Sequence, residues 1–242
     1  MPNSPVFVIG AGRSGTTVFF DLLTSHSDFC FFTNYDDILS ATPFIGLARR
    51  VFDNRFWQNL GRRRDYSGVS DFSSLRPRKT EAYRFWRRYA GQDFVRSYLW
   101  SQRPSPSTIW KVRRKVDQLC GWQRRRCFAA KFTGPGRIGY LREIFPNARF
   151  IHIVRDCHSQ VHSTLNVGFW KAGGGLERLW WNRDLPAPFA AHLNAAERTG
   201  DPVALAAAQQ GASFSAVVGH EARERNGADC EGTVWVRNSG CD

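Results

Sequence analysis

The opening of the chain combines a short apolar run, a glycine-rich turn and an amphipathic segment. Residues 6–9 (Val-Phe-Val-Ile) are too few for a helix and end at Gly10, and Gly12 and Gly15 follow closely. From residue 18 to residue 23 apolar side chains recur at helical spacing. A buried strand that leads through glycines into a helix is typical of parallel α/β sheets that bind anions, because the loop amides and the helix dipole both favour negative charge there.

Two further pairs of strand and helix follow later in the sequence. Residues 127–132 and 148–154 are predicted to be strands, and residues 136–145 and 157–165 are predicted to be helices. Strands that alternate with helices imply right-handed βαβ units and a parallel sheet. We therefore predict an α/β, P-loop-type three-layer fold with a parallel central sheet and a helical insertion.

The sequence predicts one domain over residues 1–242. Periodicity is weak from about residue 40 to 108, so this stretch is predicted to be an insertion that covers the site, with an amphipathic helix over residues 84–99. A helix over residues 202–218 and a last strand over residues 233–236 complete the prediction. The chain stops soon after that strand, and a hydrophobic edge there favours aggregation or a homodimer.

Composition restricts the class of protein. A hydrophobic content of 42% supports a compact core and excludes a disordered chain. No apolar run approaches the roughly 18 residues that span a bilayer, and no leader pattern opens the chain, so we expect a soluble, cytoplasmic protein without a membrane span. The 6 cysteines form no CxxC pair, which predicts reduced thiols rather than a disulfide framework or a zinc site.

The chain is strongly basic, with a net charge of +13, and most of its cations are arginines. A planar guanidinium binds phosphate and sulfate through two hydrogen bonds, so this bias suits polyanionic ligands. Clusters at residues 62–64, 113–115 and 124–126 are compatible with nucleic acid, with solvated faces or with the rim of an acceptor site. The net charge alone does not distinguish between these three interpretations.

The glycine-rich loop departs from that of common ATPases and kinases. Its G-x4-G spacing is followed by Thr16, where a nucleotide-triphosphate loop carries lysine. The cation is instead Arg13, which precedes Ser14 and Gly15 and is able to hold two oxygens at once. Together with the hydroxyls of Thr16 and Thr17, these groups predict a cradle for a phosphate-like ligand that needs no magnesium.

The loop and a second segment resemble the sulfotransferase superfamily that uses 3′-phosphoadenosine 5′-phosphosulfate (PAPS). The branches concerned are the bacterial, carbohydrate and tyrosylprotein enzymes with an R-S-G-T-T loop. The resemblance runs over residues 6–26 and resumes over residues 131–165, where F-P-N-A-R-F-I-H-I-V-R-D leads to Ser163. It implies PAPS as co-substrate, bound by Gly12, Arg13, Ser14, Gly15, Thr16, Thr17, Arg155 and Ser163. In the family, the equivalents of Arg155 and Ser163 grip the 3′-phosphate, a group that ATP lacks.

The resemblance also implies catalytic roles. Arg13 would stabilise the leaving phosphate, and Lys131 the sulfuryl oxygens. Members of the better-defined branches often carry a glutamate shortly after the loop helix, and this sequence has none there. Asp36 or Asp37 is therefore the candidate base, with helix capping as the competing interpretation, and His26 is a further alternative.

Three function classes remain open. The leading hypothesis is transfer of a sulfuryl group from PAPS to a hydroxyl or amine of a small-molecule, glycan or lipid acceptor, without nucleic acid as partner. His158 and His162 lie one helical turn apart but do not form an HExxH motif, so no metal is predicted. The alternatives are a non-catalytic nucleotide- or nucleic-acid-binding protein of the P-loop type and a truncated, inactive relative.

Overall fold

The computed structural model describes residues 3–39, 78–175, 177–181, 187–225 and 233–238. The strands are β1 (Asn3–Gly10), β2 (Phe29–Cys30), β3 (Cys127–Thr133), β4 (Arg149–Arg155) and β5 (Thr233–Asn238). They form one sheet in the order β2-β3-β1-β4-β5, and every neighbouring pair is parallel. Parallel neighbours require crossover connections, which the helices supply.

The helices lie between the strands and after β4. They are α1 (Thr16–Leu23), α2 (Asn34–Ile38), α3 (Tyr83–Ala90), α4 (Gln92–Arg96), α5 (Pro106–Gln123), α6 (Ile138–Ile144), α7 (Cys157–Leu165), α8 (Gly168–Ala172), α9 (Ala187–Thr199) and α10 (Pro202–Arg225). None of the helices in the described ranges is long and apolar enough to cross a bilayer. The cytoplasmic location stays a prediction.

The central strand β1 shows that both faces of the sheet are covered. Phe7 and Ile9 belong to a large apolar core, to which α3, α4, α5 and α6 contribute. Val8, which alternates with them, belongs to a second core with Phe20 of α1. Side chains alternate between the two faces of a strand, so helices pack on both sides of the sheet. The predicted α/β fold with a parallel sheet and flanking helices is confirmed.

The strand register brings the ends of the central strands together. Gly10 is opposite Thr133 of β3, and Ile9 is opposite His152 of β4. The carboxyl ends of β1, β3 and β4 therefore lie at one edge of the sheet, where open α/β sheets bind their ligands.

The predicted insertion differs from the structure in two respects. The single helix expected over residues 84–99 is interrupted at Gly91, whose φ of 97° ends α3 before α4 begins. The sequence analysis also missed α5, which begins with a Ser105 cap and a proline in its first turn. Residues 40–77 of the insertion lie outside the described residues.

The expectation of reduced thiols is wrong for one pair of cysteines. Cys30 at the end of β2 and Cys120 on α5 form a disulfide, with their Cα atoms 5.3 Å apart and a sequence separation of 90. The pairing follows from the packing of α5 beside β2, where the Gln123 side chain also exchanges hydrogen bonds with the main chain of Phe31. Such a pairing leaves no local signal in the sequence.

The last strand, β5, lies at one edge of the sheet and pairs with β4 over residues 233–238. The predicted strand over residues 233–236 is therefore confirmed. A hydrophobic character of this edge, and a homodimer formed through it, stay predictions because the side chains concerned lie outside the described ones.

His152 in β4 makes the stability of this fold sensitive to acid. Burial lowers the pKa of its imidazole from 6.5 to about 4, and its ring lies 5.6 Å from the ring of Phe214 on α10. The pKa in the folded state is thus below that of the unfolded chain. The stability contributed by the neutral ring is complete above pH 6.5 and is lost as the pH falls towards 4.

We expect the free energy of unfolding to decrease by about 3 kcal/mol across this pH range because of His152. Equilibrium denaturation of the wild type and of His152→Gln, measured at several pH values, checks this expectation. The variant has no imidazole at this position and should lose that part of the pH dependence. Equal slopes in the two proteins would contradict it.

Candidate active site

The loop between β1 and α1 is tightly folded. A Cβ atom on Gly10 would lie 2.7 Å from both the Ile153 carbonyl oxygen and the Ser14 Oγ, so no side chain fits there. Gly15 caps α1 with a φ of 99°, and Arg13 has a φ of 66°, which is rare for a residue with a side chain. Such local strain concentrates at functional sites. The turn leaves the amides of the loop at the amino end of α1, as in phosphate-binding loops.

Arg13, Arg155 and Ser163 meet in one cleft. Arg13 Nε donates a hydrogen bond to Ser163 Oγ at 2.9 Å, and Arg155 Nη1 donates one to the Arg13 carbonyl oxygen at 3.2 Å. The cleft has a volume of about 640 Å³. Its lining consists of Arg13, Arg155, His158, Ser159, His162, Ser163, Asn166 and Val167. The structure thus brings together the two motifs that the sequence analysis connected with a doubly phosphorylated nucleotide.

Asp156, which follows the cleft residue Arg155 in the sequence, already has a structural role as a helix cap. Asp156 caps α7 by accepting a hydrogen bond from the Ser159 N–H at 2.8 Å, and this bond lowers the pKa of its carboxyl group. Asp156, Cys157 and His158 are exposed, with possible ligand atoms within 4.8 Å of one another. Since the Asp156 carboxylate already serves as a cap, this cluster does not change the expectation that no metal is required, which stays a prediction.

A chain of buried amide side chains supports the loop. Gln160 on α7 donates to the Gly12 carbonyl oxygen at 2.6 Å and to Gln210 Oε1 at 3.4 Å. Gln210 on α10 donates in turn to the Thr164 hydroxyl at 3.0 Å. All three side chains are buried. Buried polar groups that satisfy one another hold a single arrangement, so this chain fixes the Gly12 peptide and links α10 to the loop. The sequence analysis did not detect these residues.

Lys131, at the carboxyl end of β3, contacts the helical end of the loop. Its Nζ donates to Thr17 Oγ1 at 2.8 Å and lies 3.3 Å from Glu81 Oε1. The side chains of Lys131 and Glu81 are each only 13% exposed. Water screens this ion pair less than a surface pair, so the ammonium group is held beside the loop.

Glu81 is a candidate site residue that the sequence analysis missed. Its carboxylate accepts hydrogen bonds from the Thr133 N–H at 3.2 Å, from the Thr133 hydroxyl and from the Tyr83 hydroxyl. Burial, followed by the nearby Glu81 charge, raises the pKa of Tyr83 well above its usual range, so the phenol keeps the proton that it donates. One sequence signal could have identified Glu81. The resemblance implies a glutamate after the loop helix, and Glu81 is the first glutamate in the sequence.

Asp36 and Asp37, the sequence-predicted bases, both cap helices. Asp36 is buried and accepts hydrogen bonds from the N–H and the hydroxyl of Thr33, at 2.8 Å and 2.6 Å, in a capping box that begins α2. Asp37 accepts from the N–H groups of Arg84 and Phe85 at 2.7 Å and 3.3 Å, at the start of α3. These contacts are the ones that helix capping, the competing interpretation of both aspartates, requires. Glu81 is the carboxylate that contacts Lys131.

Fold and site together define a parallel α/β protein of the P-loop type with a cationic cleft at the carboxyl ends of its strands. Residues 5–185, more than half of the chain, match the model of the sulfotransferase family. The chain therefore belongs to the sulfotransferase family, and the sequence-based assignment to this superfamily is confirmed.

A solved structure agrees with this assignment at the level of the fold. The chain is similar to the crystal structure of sulfotransferase STF9 from Mycobacterium avium, with a TM-score of 0.56 and 17% sequence identity. The match covers 98% of this chain and 59% of that protein, so this chain spans less than two thirds of the length of its structural relative. No curated protein sequence matches the chain.

Proposed function

We propose that the protein transfers a sulfuryl group from PAPS to a hydroxyl or amine of a small-molecule, glycan or lipid acceptor. The observation that carries the proposal is the cleft in which Arg13, on the loop, meets Arg155 and Ser163. PAPS bears anionic groups on both its 5′ and 3′ positions, and this cleft offers a guanidinium for each. Common nucleotides such as ATP lack the 3′-phosphate, so charge-assisted contacts to that group favour PAPS over them.

In this proposal, the loop amides of residues 14–17 and the Arg13 guanidinium hold the phosphosulfate end of the donor. Arg155 and Ser163 hold the 3′-phosphate. The Arg13 to Ser163 hydrogen bond keeps these two groups ordered in the free protein, which reduces the entropy lost when the donor binds. The Gln160 contact to the Gly12 carbonyl supports the same loop.

Lys131 and Glu81 supply the chemistry on the acceptor side. A carboxylate has about four lone-pair positions, and the four contacts of Glu81 with Lys131, Tyr83 and Thr133 occupy them. When Lys131 turns to the sulfuryl oxygens, one position on Glu81 Oε1 becomes available and accepts the proton of the acceptor hydroxyl. The acceptor oxygen bonds to sulfur as the bond from sulfur to the phosphate oxygen breaks. Arg13 and the loop amides stabilise the charge on the departing phosphate.

Incubation with PAPS that carries a labelled sulfate, together with a panel of sugars, lipids, phenols and amines, tests this proposal. We expect one class of acceptor to gain a sulfuryl group, detected by mass spectrometry, with release of an equal amount of adenosine 3′,5′-bisphosphate. Failure to transfer to any acceptor, combined with no calorimetric binding of adenosine 3′,5′-bisphosphate, would contradict the proposal.

A further inference from the structure

The outer sides of α3 and α5 form a strongly basic surface, here called the basic face. The helices carry seven basic residues, three in α3 and four in α5: Arg84, Arg87, Arg88, Lys111, Arg113, Arg114 and Lys115. The two helices contain one acidic residue, Asp117. All of the basic residues except Arg113 and Lys115 are exposed. The exposed cations of the basic face are therefore Arg84, Arg87, Arg88, Lys111 and Arg114, against the single carboxylate, Asp117, that α3 and α5 contain.

The two helices contribute to this face as one surface. The Arg88 guanidinium of α3 lies 6.0 Å from the centre of the Tyr89 ring, and Lys115 Nζ of α5 lies 5.9 Å from the same ring. Cations from both helices thus meet over one aromatic side chain. Two helices side by side present a broader surface than a single helix, which suits an extended partner.

Two tryptophans are exposed on the α5 side of the basic face. The side chains of Trp110 and Trp122 are 58% and 44% exposed, and the Arg114 guanidinium lies 5.0 Å from the centre of the Trp110 ring. The positions of the two residues in α5 separate them by about 18 Å along the helix axis. Indole rings have an apolar body and a polar N–H group, which makes tryptophan frequent at the boundary between lipid and water.

We propose that the basic face docks the protein on the surface of a bilayer that contains anionic lipids. The exposed cations of the face contact the lipid phosphates, and the rings of Trp110 and Trp122 enter the headgroup layer. The interface of an anionic bilayer combines negatively charged headgroups with an apolar region directly beneath them. A nucleic acid duplex or an acidic polysaccharide offers the charge but no apolar layer for the two indoles. This docking is independent of the proposed transfer reaction.

Sedimentation with phosphatidylcholine vesicles, with and without phosphatidylglycerol, tests the proposal. We expect the wild-type chain to bind the anionic vesicles alone and to be released by salt. The triple variant R88Q/K111Q/R114Q should bind about 100-fold more weakly, since each basic residue near such a surface contributes about 1 kcal/mol. The double variant Trp110→Ala/Trp122→Ala keeps the charge and should also bind more weakly. Its loss of affinity should depend less on salt concentration than the loss in the triple charge variant.

A matched control removes the same charge elsewhere. Lys171, Arg178 and Arg198 are exposed residues outside α3 and α5, and K171Q/R178Q/R198Q should bind anionic vesicles like the wild type. Thermal unfolding of each variant verifies that it is folded. The proposal would be overturned if the wild-type protein did not bind anionic vesicles, or if the control variant lost as much binding as R88Q/K111Q/R114Q. Retention on heparin or duplex DNA at a salt concentration that abolishes vesicle binding would also overturn it.

Discussion

Replacement of Glu81 by glutamine is expected to lower kcat for sulfuryl transfer by about 10²- to 10⁴-fold, the range for loss of a general base. Glutamine keeps the shape of the side chain, but its amide cannot take the proton of the acceptor. Lys131 would also lose its ionic partner at 3.3 Å. Binding of adenosine 3′,5′-bisphosphate should remain close to that of the wild type, because Glu81 contacts β3 and Lys131 rather than the cleft. Transfer rates at saturating donor and calorimetric titration measure the two quantities.

A series of phenol acceptors of decreasing basicity separates two roles for Glu81. If the carboxylate takes the proton, the loss of rate in Glu81→Gln becomes smaller for the more acidic phenols, which need less help from a base. If Glu81 only positions Lys131, the loss is the same for all of them. Asp36→Asn and Asp37→Asn are matched controls that remove one charge from a helix cap. If Glu81→Gln turns over at a near-normal rate and either aspartate variant loses turnover, that aspartate and not Glu81 is the general base.

Replacement of Arg155 by alanine is expected to weaken the binding of adenosine 3′,5′-bisphosphate by roughly 10- to 150-fold, which corresponds to about 1.5–3 kcal/mol for hydrogen bonds to a charged group. Adenosine 5′-phosphate lacks the 3′-phosphate, so its binding should change little. Calorimetric titration of both ligands into both proteins gives the four dissociation constants. The difference between the two ligands isolates the contact to the 3′-phosphate.

The comparison of ligands is needed because Arg155 also holds the loop through the Arg13 carbonyl oxygen. An equal loss for both ligands would mean that Arg155 acts through the loop alone, and would count against its role at the 3′-phosphate. Arg149→Ala is the matched control, since Arg149 is an exposed arginine at the start of the same strand. That variant should bind both ligands like the wild type.

The sequence sufficed for four of the five strands and for both halves of the cleft, because each is encoded locally, whereas the two-residue edge strand β2 is too short to leave a pattern. The run at residues 6–9, the glycines after it and the strand that ends at Arg155 are contiguous patterns. Parallel strands place their carboxyl ends at one edge, so the meeting of Arg13 with Arg155 and Ser163 follows from the fold class. The observed hydrogen bond between Arg13 and Ser163 spans 150 residues of sequence.

The remaining features depend on contacts that no local pattern encodes. Glu81 precedes Thr133 by 52 residues, and Gln160 precedes Gln210 by 50. The disulfide partners are 90 residues apart. Each pair is joined only by packing between elements. Helix α5 is different, because its buried residues Val112, Val116 and Leu119 recur at helical spacing after a Ser105 cap. A local pattern for this helix is thus present in the sequence and was overlooked.

The hydrogen bonds that run from Gln210 through Gln160 to Gly12 extend beyond residues 5–185, the part that the family model matches. The segment that the family model matches therefore does not contain every group that supports the glycine-rich loop. Substitutions in the middle of α10 should imitate defects of the active centre, even where they leave the glycine-rich turn untouched. A chimera that exchanged only the matched segment would inherit the turn and Gln160, but not Gln210, the α10 side chain that Gln160 contacts.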